Sequence, residues 1–163
     1  MLQETADGLY CPAGDFHIDP WGAVKRAIIT HAHGDHFFGL KLLQDRFPNV
    51  QALATPEVVA KMKLQITPEQ LNSRWRKLFP NQIPDVISIA DPLEGNAIDL
   101  EGSKLVVVRV GHTDTDDTTC LHVRSIGLVV AGDAVYNGIH PFLNESNRQS
   151  IPAWFAGSTK STR

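Results

Sequence analysis

In close succession stand His31, His33, Asp35 and His36, within the run Thr30-His31-Ala32-His33-Gly34-Asp35-His36. Imidazole and carboxylate in this mixture are ligands for zinc, iron or manganese. At this chain's content of His and Asp, the spacing His-x-His-x-Asp-His arises by chance in roughly one sequence in a thousand, so the run reads as a metal site rather than a solvated polar loop. Small Ala32 and Gly34 let the backbone turn tightly enough to aim neighbouring side chains in different directions. Two further donors occupy the same kind of address: His112 follows apolar Leu105 to Val110 through Gly111, and Asp133 follows apolar Leu128 to Ala131 through Gly132. Donors at strand exits are anchored by buried sheet yet open to substrate, so three such exits are expected to converge on one point. A zinc ion held there would bring the pKa of its bound water toward about 7 and polarise a carbonyl or phosphoryl oxygen. Asp35 is placed to orient that water or shuttle its proton. No Gly-x-Ser-x-Gly, P-loop or dinucleotide fingerprint competes with this reading.

The elements that must hold these residues follow from pattern. Leu9 to Cys11 and Phe16 to Asp19 alternate across Pro12-Ala13-Gly14-Asp15, which predicts a hairpin, and Val24 to Thr30 predicts a buried strand leading into the histidines. Leu40, Leu42, Leu43 and Phe47 have helical spacing that stops at Pro48, and Gln51 to Ala54 is a short strand. Thr55-Pro56-Glu57 opens one helix and Thr67-Pro68-Glu69-Gln70 opens another, each with a capping hydroxyl and a proline in the first turn; the second ends at Phe79-Pro80. From Asp85 the pattern changes to strands: Val86 to Ala90, Ala97 to Leu100, Leu105 to Val110, Thr118 to Val123 and Gly127 to Ala131. Asn144 to Ala156 predicts a closing helix, followed by a polar tail over 157–163. Strands, then helices, then strands imply a layered α+β or α/β fold.

Bulk properties narrow the function classes. A chain of 163 residues, 42% hydrophobic and 20% charged, is long enough for one globular domain with a real core. A net charge of −3 supplies no global field to recruit nucleic acid or anionic lipid. No apolar run approaches the roughly 20 residues of a membrane helix, and the first residues carry two acids with no apolar stretch behind them, unlike a secretory signal. Cys11 and Cys120 lie far apart and form no Cys-x-x-Cys, so a reducing, cytoplasmic setting is expected. The expected partner is a small-molecule substrate, with nucleic acid a lesser reading, no membrane, and a homodimer admissible.

The cluster, the distant His112 within Val110-Gly111-His112-Thr113-Asp114-Thr115-Asp116-Asp117, and Asp133 within Ala131-Gly132-Asp133-Ala134-Val135-Tyr136-Asn137-Gly138 together resemble the metallo-β-lactamase superfamily. Residues 104 to 147 look like a stand-alone hydrolase of that superfamily. The opening Gly8-Leu9-Tyr10-Cys11-Pro12-Ala13-Gly14-Asp15-Phe16-His17-Ile18-Asp19-Pro20-Trp21 is similar instead to its ligase-associated DNA exonucleases, so the chain reads as a hybrid joined near Thr30 to His36. The resemblance implies an αββα sandwich, here truncated at both ends, as a single domain over 1–156. It also implies a site in which His31, His33 and His112 bind one metal, Asp35 and His36 bind a second, and Asp133 bridges both. The family's closing His has no counterpart by motif, since the late His140 stands only shortly after Asp133. Three imidazoles leave one open position on the first ion, as in catalytic zinc sites, and the second site is expected to fill weakly, with nearer one zinc than two per chain.

Other residues invite plainer explanations. His17 and His122 alternate within strands and read as surface positions on a half-buried sheet. Asp114, Asp116 and Asp117 could add metal ligands, but read first as turn caps that support His112 by hydrogen bonds. Ser73-Arg74-Trp75-Arg76-Lys77 is the one local basic and aromatic patch, read as an exposed helix face rather than a phosphate or base contact. Tyr136 could donate to a developing oxyanion or simply pack beside Val135. The expected activity is therefore hydrolysis of an ester, lactone, thioester, β-lactam or phosphodiester. The competing expectations are an iron-dependent oxidoreductase, a nuclease, or a catalytically silent module that keeps the fold.

Overall fold

The computed structural model describes residues 3–6, 8–12, 16–18, 27–100 and 103–158, which fall into two compact units, one up to Pro92 and one from Leu93. Helices and sheets are mixed in both, as the sequence predicts.

In the first unit, β1 (Gln3–Thr5), β2 (Gly8–Cys11), β3 (Phe16–Ile18) and β4 (Ala27–Ile28) form one sheet in that order. The predicted hairpin is β2 against β3, with Leu9 opposite Ile18 and Cys11 opposite Phe16, while β1 is an additional strand. β4 joins β3 in parallel and is shorter than the expected Val24 to Thr30 strand, whose first half lies outside the described residues. The chain then turns through α1 (Gly34–Phe37) into α2 (Leu40–Arg46), which stops before Pro48 as its spacing requires. α3 (Pro56–Gln65) begins at the predicted cap, where Thr55 Oγ1 accepts from the Val58 amide at 3.5 Å. Thr67 does the same for the Gln70 amide at α4 (Pro68–Gln70).

Between α4 and α5 (Arg76–Leu78) the residues Leu71–Trp75 wind as a π-helical turn, which apolar spacing does not foretell. Trp75 is buried, meets Phe38 edge-on at 5.3 Å and donates from Nε1 to Gln65 Oε1 at 2.8 Å. The basic patch is thus divided: Arg76 and Lys77 stay exposed, whereas Trp75 is a core residue with Arg74 lying over its ring. Phe37, Phe38, Leu40, Val58 and Met62 complete this core.

The expected strand Val86 to Ala90 is absent. Ile87 and Ile89 pack half-buried on the first unit's core without ladder bonds, and strand pairing starts only at β6 (Asp91–Pro92), parallel to β5 (Leu53–Ala54). Alternating hydrophobicity registers burial, which this segment has, and not the presence of a neighbouring backbone.

The second unit is built on an antiparallel sheet, β10-β9-β8-β7, made of β7 (Ala97–Leu100), β8 (Ser103–Gly111), β9 (Thr118–Val123) and β10 (Leu128–Val130). Leu105, Val110, Cys120 and Leu121 are buried here. The final helix, α6 (Ser150–Ser158), packs on β8 and is shifted from the expected Asn144 to Ala156. Asn147 causes the shift: its Oδ1 accepts from the amides of Gln149 and Ser150 at 2.9 and 3.0 Å, ending the preceding turn and opening the helix. Gly157 and Ser158, assigned by composition to the tail, belong to α6, and 159–163 lie outside the described residues. Among the described residues no helix is long and apolar enough to cross a membrane.

Candidate metal centre

The histidine run occupies the exit of β4 and the start of α1. Thr30, His31 and His33 are all buried, with His31 fully enclosed. His33 adopts extended backbone angles, φ −66° and ψ 140°, before the helical turn carries Asp35 and His36 round. The His31 ring thereby has an imidazole on either hand, its centroid 5.0 Å from that of His33 and 4.0 Å from that of His36. A ring nitrogen of His31 lies within 4.8 Å of one on His33, and likewise of one on His36. Thr30 Oγ1 is 3.2 Å from His31 Nδ1, which engages that nitrogen and directs Nε2 the other way. The buried Nε2 of His31 and Nδ1 of His36 take no part in hydrogen bonds, although each ring has other contacts. Asp35 stands apart, its carboxylate largely exposed and 3.9 Å from His36 Nε2.

Packing apolar ring faces would be one reason to bury histidines, but three of them gathered on one turn form a donor set suited to a divalent ion. The residues therefore fit a metal.

In the second unit the two predicted donors follow glycines whose backbone only glycine adopts readily: Gly111 has φ 89° and Gly132 φ 51°. Gly111 also closes a bulge in the β8–β9 ladder, ending the strand and releasing His112 into the following loop. His112 Nδ1 is 2.6 Å from Asp116 Oδ1. A carboxylate can only accept, so Nδ1 carries the proton and Nε2 is left as the basic nitrogen, the tautomer that metal-binding histidines adopt. That Nε2 is 3.3 Å from Ser146 Oγ, whose single hydrogen has the Thr113 carbonyl, at 3.1 Å, as its alternative acceptor.

Asp114 is fully buried, with Thr113 Oγ1 at 2.8 Å from its Oδ1. Thr115 Oγ1 donates to Glu145 Oε2 at 2.7 Å, and Asp117 takes a positive φ of 61°. Asp114 and Asp116 thus hold the loop and His112 by contacts within it. Ser146 and Glu145 brace the loop from a distant segment and carry no motif, so sequence spacing could not find them.

Asp133 sits in a short 3-10 turn, Gly132–Ala134, and accepts a hydrogen bond from Tyr136 Oη at 3.1 Å on Oδ2. Burial, then the charges of Asp133 and Asp114, push the Tyr136 phenol well above the usual tyrosine range, so it is a neutral donor. Tyr136 also packs edge-on against Trp154 rather than simply beside Val135, and its O–H goes to Asp133. His140 is exposed and its Nδ1 is 2.6 Å from the Pro141 carbonyl. His122 is half-buried in β9, opposite Val106 and Val129.

The metallo-beta-lactamase superfamily matches the chain over residues 18–158. The chain belongs to this superfamily. Among solved structures, a beta-lactamase domain protein from Burkholderia ambifaria is similar with a TM-score of 0.59 and 22% identity, covering 85% of this chain and 46% of that one. A metallo-beta-lactamase family protein from Thermus thermophilus aligns with a TM-score of 0.61 and 16% identity over 98% of this chain and 62% of the other. These likenesses establish the α+β metallo-β-lactamase-type fold. A hydroxyacylglutathione hydrolase from Prochlorococcus marinus is 28% identical over 116 residues, which is 71% of this chain. This superfamily member spans only 37% of that curated relative's length.

Proposed function

We propose that the chain is a metal-dependent hydrolase acting on a small carboxylic ester, lactone or thioester. The observation that carries this reading is the meeting of the His31, His33 and His36 imidazoles on one turn at a strand exit. His31 and His33 with His112 would hold one ion; Asp35 and His36 would serve a second, weaker position, and Asp133 would be shared between them. Zinc suits this donor set, and once bound it acidifies water toward neutral pH and polarises the substrate carbonyl.

The chain's own residues supply the rest. Asp116 fixes the His112 tautomer. Asp35, exposed beside His36, accepts the proton of the attacking water. Tyr136, neutral, donates its one O–H to Asp133 and so fixes the orientation of that carboxylate. The name of the Prochlorococcus relative, hydroxyacylglutathione hydrolase, supports putting acyl substrates ahead of phosphodiesters. Burial of Trp75 supports the same order, because the basic patch offers no exposed aromatic face for a base to stack on. We place the reaction in the cytoplasm, in keeping with the sparse, unpatterned cysteines.

The test is turnover of p-nitrophenyl acetate, a lactone and an acyl thioester by zinc-loaded protein. Activity that disappears on chelation and returns with zinc is expected. A zinc-loaded, folded chain that is inert toward all three overturns the proposal.

A further inference from the structure

Beside Asp133 the second unit opens a groove of about 430 Å³ whose walls include Val135, Tyr136, Ile139, Leu143, Trp154 and Phe155. That volume lies within the range of small-molecule sites. No charged side chain among the described residues lines it. Its polar side-chain atoms are already engaged within the unit: Tyr136 Oη donates to Asp133, Trp154 Nε1 to the Ala134 carbonyl at 2.8 Å, and Ser158 Oγ to the Phe155 carbonyl at 2.9 Å. A peptide backbone, a sugar or a charged group placed here would give up hydrogen bonds to water without recovering them. A hydrocarbon chain gives up none. Ile139 and Phe155 present 71% and 70% of their surface, the apolar area such a chain would cover.

We infer that this groove binds the uncharged hydrocarbon chain of the substrate, making the preferred class a medium-chain acyl ester or thioester; this rests on the metallo-hydrolase reading above. Tyr136 sets the polarity of the arrangement, because it is both a wall of the groove and the hydrogen-bond neighbour of Asp133. A chain lying along the groove therefore has its acyl carbonyl at the Asp133 end. Phe155 and Leu143, exposed and outside the proposed ligand set, set how much of the chain is covered.

Two measurements on the zinc-loaded chain test this. In the first, octanamide, which carries the chain but resists hydrolysis, is titrated against tryptophan fluorescence. Saturable binding is expected, weakened at least tenfold in Phe155→Ser and Leu143→Ser, with the fluorescence change lost in Trp154→Phe. In the second, kcat/KM is followed from p-nitrophenyl acetate through butyrate and hexanoate to octanoate. It should climb by up to about fourfold per methylene, the value of full CH₂ burial, and the climb should flatten in both Ser variants. Absence of octanamide binding, or binding indifferent to both variants, overturns the inference. So does a self-associated chain that Phe155→Ser converts to monomer without octanamide having bound, since the face would then be covered by a second copy. Octanamide binding with no ester turnover upholds the groove and defeats the hydrolase reading. Turnover with no dependence on chain length does the reverse.

Discussion

Asp116 illustrates how a single side chain prepares a ligand. By accepting from His112 Nδ1 at 2.6 Å it determines which nitrogen of that ring is basic, and outer partners of this kind are worth about ten- to a hundredfold in metal affinity or activity. Asp116→Asn is expected to weaken zinc retention by that factor, measured by competition with a chromophoric chelator; unchanged retention would remove the orienting role. Asp35 acts on the proton instead. Asp35→Ala is expected to lower kcat by about a hundredfold or more under zinc saturation, and a variant with full turnover would exclude it as the base. At this scale the sequence was most legible where chemistry is local: His31, His33, Asp35 and His36 are neighbours in the chain, and their spacing alone announces a site. The links from His112 to Ser146 and from Thr115 to Glu145 join segments about thirty residues apart, and ordinary serine and glutamate leave no mark of such a role.

The contact of α6 with β8 depends on a missing side chain. A Cβ on Gly157 would run into the Val110 carbonyl oxygen at the end of the strand that delivers His112. Gly157→Ala is therefore expected to destabilise the chain by about 1–3 kcal/mol despite alanine's better helix propensity, read as a lower denaturant midpoint at unchanged m-value. An unaltered midpoint would show that the helix can shift without cost.

Cys120 in β9 reports on the same sheet. Burial pushes its thiol from 9.0 up to about 11. The folded chain thus holds the neutral thiol where the unfolded chain has begun to ionise, so this contribution to stability is complete below pH 9 and is lost as pH rises toward 11. Iodoacetamide should accordingly leave Cys120 unmodified at pH 8 in the folded protein, with peptide mass spectrometry as the check. Rapid alkylation under those conditions would contradict a closed sheet. Elements with local signals were readable in advance, as the Thr55 and Thr67 caps and the β2–β3 hairpin demonstrate. Val86 to Ala90 and the start of α6 were not, because one depends on a partner strand and the other on which of several polar residues captures the first amides.

As a whole, the molecule has a fold that the order of its elements suggested and that a family match over residues 18–158 and solved relatives establish. The division into units meeting the chain near Pro92 leaves no trace in composition, since the segments on either side are equally ordinary in charge and hydrophobicity. Membership of the superfamily restricts the chemistry without selecting the substrate, because one fold serves many reactions. What the account requires is an ion held by imidazoles from the first unit, and its metal content is the direct measure of that. Elemental analysis of zinc-equilibrated, desalted protein should give about one zinc per chain, falling close to zero in His31→Ala/His33→Ala with the fold retained by circular dichroism. A wild-type chain that retains no metal, or a double variant that retains as much as the wild type, would contradict it.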